Sequence, residues 1–341
     1  MPPRVTAVHP QQATEGGRVT IEGTEFPVDE PLLPEVRIGD RPARVVYAQP
    51  TRLIAMVPPG LDGGRAAVRV SGVPVSPADS AVAFIDVAAP FATELHQVDN
   101  PVFDHDGNLY VTFSGSRGQH VPNSIFRVRP DGTRETFSSV VVNPTSMAID
   151  PQGRLYVSSR FEGTVYRVHE DGSVERFARE LGIACGLAFD RDGTLFVGDR
   201  SGTIFRVDGG GRSTVLATLP ASVAAFHLAM GPDHALYVTG PTLSSHDPVY
   251  RVGLDGGVTV RATGFGRPQG LAFDAAGTLH VVEALTGSNG LYRLPPDAAP
   301  ELVIAGAGLI GVAFGAAGRV VVCSNDTAYR LDASPHSRLL Q

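Results

Sequence analysis

The sequence predicts an all-β protein in which a small β-sandwich precedes a six-bladed β-propeller. Three observations carry this. Gly (39) and Pro (27) together make up nearly a fifth of the 341 residues, a density that suits a chain of short strands and turns. A six-fold internal repeat runs from about residue 99 to 332, and a period of about 40–50 residues built only of short strands is a propeller period. No stretch with helical periodicity interrupts it.

Residues 1–87 stand outside the period. Strand runs occur at Arg18–Glu22, Glu35–Ile38, Ala43–Tyr47, Leu53–Val57, Ala66–Val70 and Ala81–Phe84, separated by Gly/Pro turns. Six or seven short strands in fewer than 90 residues make a small sandwich. The join at residues 85–90, Ile-Asp-Val-Ala-Ala-Pro, flows straight into the next strand and predicts restricted motion between the two parts.

The repeat shows most clearly in its second strand. Gly107-Asn-Leu-Tyr-Val-Thr112 recurs as Gly153-Arg-Leu-Tyr-Val-Ser158, Gly193-Thr-Leu-Phe-Val-Gly198, His234-Ala-Leu-Tyr-Val-Thr239, Gly277-Thr-Leu-His-Val-Val282 and Gly318-Arg-Val-Val-Val-Cys323. The copies lie 46, 40, 41, 43 and 41 residues apart. Before it comes an apolar first strand such as Gly186-Leu-Ala-Phe189, joined by an Asp/Gly turn. A third strand carries Tyr-Arg or Phe-Arg (Ile125-Phe-Arg-Val128, Val165-Tyr-Arg-Val168), and an Asp-Gly turn leads to a polar fourth strand. Asp-Gly between alternating runs is a strong hairpin signal. For that reason Asp104-His-Asp-Gly-Asn108 reads as a hairpin and not as a calcium loop. The sixth copy ends at Leu331 without a fourth strand, since Asp332–Gln341 is short and polar. Residues 88–97 form a spare strand that can complete it and close the ring.

Composition excludes several functions. The formal charge is −7 and no basic block is present, which argues against nucleic-acid binding. All 28 basic residues are Arg, so Schiff-base lysines, P-loop lysines and Ser–Lys catalysis are excluded. Two cysteines, Cys185 and Cys323, exclude a disulfide framework. No apolar run is long enough to span a membrane. The start Met1-Pro2-Pro3-Arg4 lacks a signal-peptide core, which predicts a cytoplasmic protein; a secreted or periplasmic chain trimmed of its leader would read the same. A monomer is expected.

The run Pro10…Gly16-Gly17-Arg-Val-Thr-Ile-Glu-Gly23-Thr-Glu-Phe26, followed by Val57-Pro58-Pro59-Gly60, resembles the IPT/TIG immunoglobulin-like module. That resemblance implies a spacer or interaction surface. The repeats resemble the six-bladed NHL and gluconolactonase/senescence-marker-protein/lactonohydrolase propellers. The latter resemblance implies one divalent cation (Ca, Mg, Mn or Zn) in the channel, held by Glu, Asn and Asp from separate blades, polarising a lactone carbonyl. The family's Glu-Gly-Pro-x-Trp run is matched here by Asp99-Asn100-Pro101-Val102-Phe103, leaving Asp99 as the metal-ligand candidate. The family's Asn falls at Phe226 or His227 and its Asp at Gln269.

Topology places a site. The start of each first strand and the end of each second strand share one face, because neighbours are antiparallel. Residues entering the first strands form a ring: Asp99/Asn100, Thr145, Cys185, Phe226, Gln269 and Ile310. Loops after the second strands wall that face with Ser114–Asn123, Arg160 and Glu162, Asp199 and Arg200, Gly240–Asp247, Glu283–Asn289 and Asn325–Asp326. His227 occupies a slot filled elsewhere by Ser146, Gly186, Gly270 and Gly311. With Asp199, His246, Asp247 and Glu283 on the same face it is a candidate base or ligand; the alternative is a packed histidine. Asp199–Arg200 and Arg160–Glu162 also read as salt-bridged loop supports, and Cys185 as a buried thiol or a nucleophile paired with His227.

Two functions follow. One is a hydrolase or lyase of a small lactone or ester at the channel mouth. Asp99, His227 and Glu283 would do the chemistry there, with Asn100, Thr145, Arg160, Cys185, Asp199, Arg200, Phe226, His246 and Gln269 around the substrate. The other is a non-catalytic scaffold that binds a small polar ligand or a protein partner.

Overall fold

The computed structural model describes residues 4–28, 33–71 and 84–331, and among these every regular element is a strand except one 3-10 turn at Ala316–Gly318. The N-terminal part comprises β1 (Arg4–His9), β2 (Gln12–Ala13), β3 (Arg18–Thr24), β4 (Val36–Ile38), β5 (Arg41–Gln49), β6 (Arg52–Met56), β7 (Gly64–Val70) and β8 (Phe84–Val87). Of the expected run at Ala81–Phe84, only Phe84 lies within the described residues. The strands run β1-β3-β6-β5-β4-β7-β8-β2 around one core. Alternation builds that core: Val19 and Ile21 of β3, Leu53 and Ala55 of β6, and Val68 and Val70 of β7 point inward, with the more exposed Thr20, Ile54 and Arg69 between them.

The repeats then fold as antiparallel meanders. After β9 (Ala89–Ala92) come β10 (Val102–Phe103), β11 (Leu109–Thr112), β12 (Ile125–Val128) and β13 (Arg134–Ser138), then β14 (Pro144–Ile149), β15 (Leu155–Ser159), β16 (Thr164–Val168) and β17 (Val174–Ala178). The third copy is β18 (Ala184–Phe189), β19 (Leu195–Asp199), β20 (Thr203–Val207) and β21 (Ser213–Thr218). The fourth is β22 (His227–Met230), β23 (Leu236–Thr239), β24 (Asp247–Val252) and β25 (Val258–Phe265). The fifth is β26 (Pro268–Phe273), β27 (Leu279–Glu283), β28 (Gly290–Leu294) and β29 (Glu301–Ala305); the last is β30 (Leu309–Phe314), β31 (Val320–Ser324) and β32 (Ala328–Leu331).

Five four-stranded sheets stand alone, not the six expected. The repeat β26–β29 instead forms one end of a twelve-stranded sheet that runs on into the N-terminal strands. The cause is β2, which lies parallel to both β8 and β29 and pairs Gln12 with Ile304 and Ala13 with Ala305. Thr14 N–H extends the junction by donating to Ala305 O at 2.8 Å. Gly17 permits this approach, since a Cβ there would sit 2.4 Å from Ala305 O. In the last sheet the fourth place is taken by β9, antiparallel to β32, with Ala92 opposite Ala328. The spare strand therefore completes the last repeat.

The Asp/Gly hairpins are as expected. Asp104 Oδ1 accepts the N–H groups of Asp106 and Asn108, and Asp150, Asp190 and Asp274 repeat the pattern. Each turn closes on a left-handed residue, a glycine in most copies and His234 (φ 57°) in the fourth. The Arg of the third strand bonds outward, as in Arg251–Asp233 (2.7 Å) and Arg293–Glu301 (2.6 Å).

Candidate functional site

The first strands bring together side chains from three separate repeats. Where His227 sits, other copies carry Gly186, Gly270 and Gly311, and each is small because the backbone is close. A Cβ on Gly186 would lie 2.7 Å from Phe226 O, and one on Gly311 2.8 Å from Asp99 O. The room left is filled by two large polar residues, Asn100 and His227. Imidazole Nδ1 of His227 lies 2.5 Å from Asp99 Oδ1, and Nε2 lies 3.2 Å from Gln269 Oε1. All three side chains are buried: His227 is 0%, Asp99 2% and Gln269 7% exposed.

The supports of this cluster cross the ring. Asn100 N–H donates to Asp99 Oδ1 at 2.7 Å, and Asn100 Nδ2 donates to Leu271 O while its Oδ1 accepts Val312 N–H. Gln97, which sequence reasoning missed, donates to Asp99 O at 2.6 Å and accepts Thr112 N–H at 2.8 Å. Thr239 Oγ1 donates to Gln269 O. Both ring nitrogens of His227 thus have partners, a packed histidine with two contacts. With the Gln269 amide as placed, both partners are acceptors; turning the amide presents its NH₂ to Nε2.

The other candidates do different work. Glu283 is buried, and its carboxylate accepts N–H groups of Gly266, Arg267, Leu285 and Thr286, so it clamps its own loops instead of facing His227. Asp199 likewise accepts Ile183 N–H and the Ser201 hydroxyl. Asp247 accepts Thr242 N–H and its hydroxyl. His246 is solvent-exposed beside Ser245, away from the buried cluster. The supposed loop salt bridges are absent among the described residues: Arg200 donates to the carbonyls of Ser222 and Val223, Arg160 reaches Gly115 O, and Glu162 accepts from Tyr166 OH.

Cys185 is buried, and its thiol is pushed up to about 12, chiefly by burial. Its thiol meets the Phe226 backbone, its carbonyl accepts Ser158 Oγ at 2.6 Å, and His227 spends its nitrogens on Asp99 and Gln269. A Cys–His nucleophile therefore does not form. Thr145 Oγ1 donates to Asn143 O, and Phe226 is buried against Gly198 and Gly240.

Below the cluster the channel is a cavity of about 370 Å³ walled by Met147, Leu187, Leu228, Leu271 and Val312. The donor set does not fit a divalent cation. Among the described residues no three His, Cys, Asp or Glu side chains converge, and Asp99, the nominated ligand, already accepts from Asn100 and contacts His227.

Comparison with known proteins agrees with the architecture. The IPT/TIG domain family matches residues 3–84. No curated protein matches the sequence. An auxiliary nutrient binding protein from Bacteroides thetaiotaomicron is similar in structure over 97% of this chain and 98% of its own, at 12% identity and a TM-score of 0.58. A gluconolactonase from Xanthomonas campestris is similar over 71% of this chain and 87% of its own, at 17% identity and a TM-score of 0.59. Virginiamycin B lyase from Staphylococcus aureus covers 72% of this chain and 87% of its own, at 15% identity and a TM-score of 0.50. At these identities the likeness is one of fold: an IPT/TIG domain joined to a β-propeller of the kind found in gluconolactonases and lyases.

Proposed function

We propose that this chain is a ligand-binding protein, a six-bladed propeller over 88–341 with an IPT/TIG-like sandwich over 1–87, that captures a small solute at the face where the second strands end. One observation carries the reading: Asp99, His227 and Gln269 on the channel axis are buried and bonded to one another, and among the described residues no three metal-ligating side chains converge. The fold shared end to end with an auxiliary nutrient binding protein supports it. The count of six is supported by packing around the axis, where β10, β14, β18, β22, β26 and β30 follow one another and β30 returns to β10.

A second reading, a lactone or ester hydrolase, is favoured by the carboxylate of Asp99 aligned on His227 as in an acid–base pair. The test is a pair of assays on the full chain. Lactones and esters are offered with Ca²⁺, Mg²⁺, Mn²⁺ or Zn²⁺, and a panel of neutral and charged solutes is screened by thermal unfolding in EDTA. A solute at 100 times its dissociation constant adds ~2.7 kcal/mol to stability, which a melt resolves. Binding without turnover is the expected result. Cation-dependent turnover lost in Asp99→Asn would overturn it in favour of the hydrolase.

A further inference from the structure

We propose that Arg117, Arg160 and Arg200 form a pocket for a small organic carboxylate with a flat apolar body. The inference rests on the ligand-binding reading above and names the class of ligand. The three arginines come from three successive repeats and line a cavity of about 200 Å³ completed by Phe161 and Ile183. Elsewhere among the described residues eight arginines are ion-paired. Arg37, Arg127, Arg129, Arg134, Arg154, Arg212, Arg251 and Arg293 each meet an Asp or Glu. Among the described residues no carboxylate meets any of the three in the pocket, in a protein with more acidic than basic residues. Arg200 is fixed by two carbonyls, and Arg160 reaches only Gly115 O at 3.5 Å.

The pocket is built, not incidental. Asn143 is fully buried and left-handed (φ 47°), and its Nδ2 donates to Ser114 O and Ser116 O while its Oδ1 accepts Gly118 N–H. That pins the loop presenting Arg117. The Asn143 carbonyl accepts Arg160 N–H, so one residue positions two of the three arginines. Gly118 lies against the ring of Phe161, where a Cβ would come within 3.1 Å. Burial and the Arg200 charge both press the Arg160 guanidinium below its ordinary value, opposed by Cys185, and the same guanidinium, after burial, lowers His96. A cluster of like charge with no counter-ion is what an anion would relieve. Planar guanidinium forks match a carboxylate, while half-exposed Phe161 and Ile183 offer an apolar wall to the rest of the molecule.

The experiment is thermal unfolding of the full chain in EDTA with benzoate, its neutral analogue benzamide, or inorganic phosphate, at low and high salt. Benzoate is expected to raise the midpoint saturably, less so at high salt, and benzamide to leave it unchanged. Arg160→Gln and Arg200→Gln should each weaken the benzoate effect about 10-fold or more, while Arg212→Gln, an exposed ion-pair residue elsewhere, should not. Without ligand, Arg160→Gln should melt no lower than the wild type. Equal shifts from benzamide, surviving both substitutions, would overturn the anionic ligand and leave the binding reading intact. A larger shift from phosphate than from benzoate would overturn the apolar body. No shift from benzoate, together with none from the wider solute panel, would overturn both readings.

Discussion

Removing the imidazole of His227 should strand the carboxylate of Asp99. His227 is 0% and Asp99 2% exposed, and the carboxylate's other contact is the Asn100 N–H. Breaking a buried charged contact by deleting one partner costs about 3–5 kcal/mol, most of it the desolvation of the group left behind. His227→Ala is therefore expected to lose about that much. Asp99→Asn keeps the shape and loses a charge-assisted contact, at about 1–3 kcal/mol. The double variant has no stranded carboxylate, so its loss should fall short of the sum by about 1–3 kcal/mol. Urea unfolding of all four proteins, with the slope checked for constancy, gives the cycle. Losses that add to within about 0.5 kcal/mol would refute the idea that the two side chains depend on each other.

Glu283→Gln should destabilise by about 1.5–3 kcal/mol by weakening charged acceptance from four backbone N–H groups, and hydrogen exchange should rise at Leu285 and Thr286; unchanged exchange would count against the clamp. Tyr110 and Tyr329 are both pushed up to about 12 in the folded state, chiefly by burial, with Asp104 and Glu15 respectively adding to it. Their folded values lie above the ordinary 10, so the stability they contribute is present below pH 10 and is lost as pH rises towards 12. A denaturation series across that window should fall less steeply in Tyr329→Phe. Gly17→Val should force the chain off Ala305 O and release the N-terminal strands from β29. Limited proteolysis would then cut near residues 87–89 faster than in the wild type, and equal rates would mean that β2 is not the anchor.

Periodicity made the architecture legible. Six copies of one second strand, the Asp-led turns and the orphan strand before the first copy dictate the meanders and the closure on β32. The ring of channel residues was legible for the same reason, and Asp99, His227 and Gln269 do meet there. What a carboxylate does was not legible. Asp199, Asp247 and Glu283 share a face with the channel, yet their oxygens go to backbone N–H groups a few residues away in space, a choice no spacing encodes. The two-residue strand β2 is too short to carry a pattern, and with it the fusion of the two sheets was missed. Arg117 lies in a loop whose length and sequence differ from copy to copy, so the repeat assigns it no aligned position. Its anchor left one trace, an Asn directly before Pro144, where a left-handed residue is tolerated.

The pairing of β9 with β32 sets a clock on synthesis. The strands that meet there, around Ala92 and Ala328, are made about 236 residues apart. At about 5–20 residues per second the earlier one waits on the order of 10–50 s for its partner. β2 waits longer still for β29. The nascent chain thus carries two open edges that only its last repeats can cover. Pro90 within β9 deprives one of them of a backbone donor, which makes that edge a poorer template for a neighbouring chain during the wait.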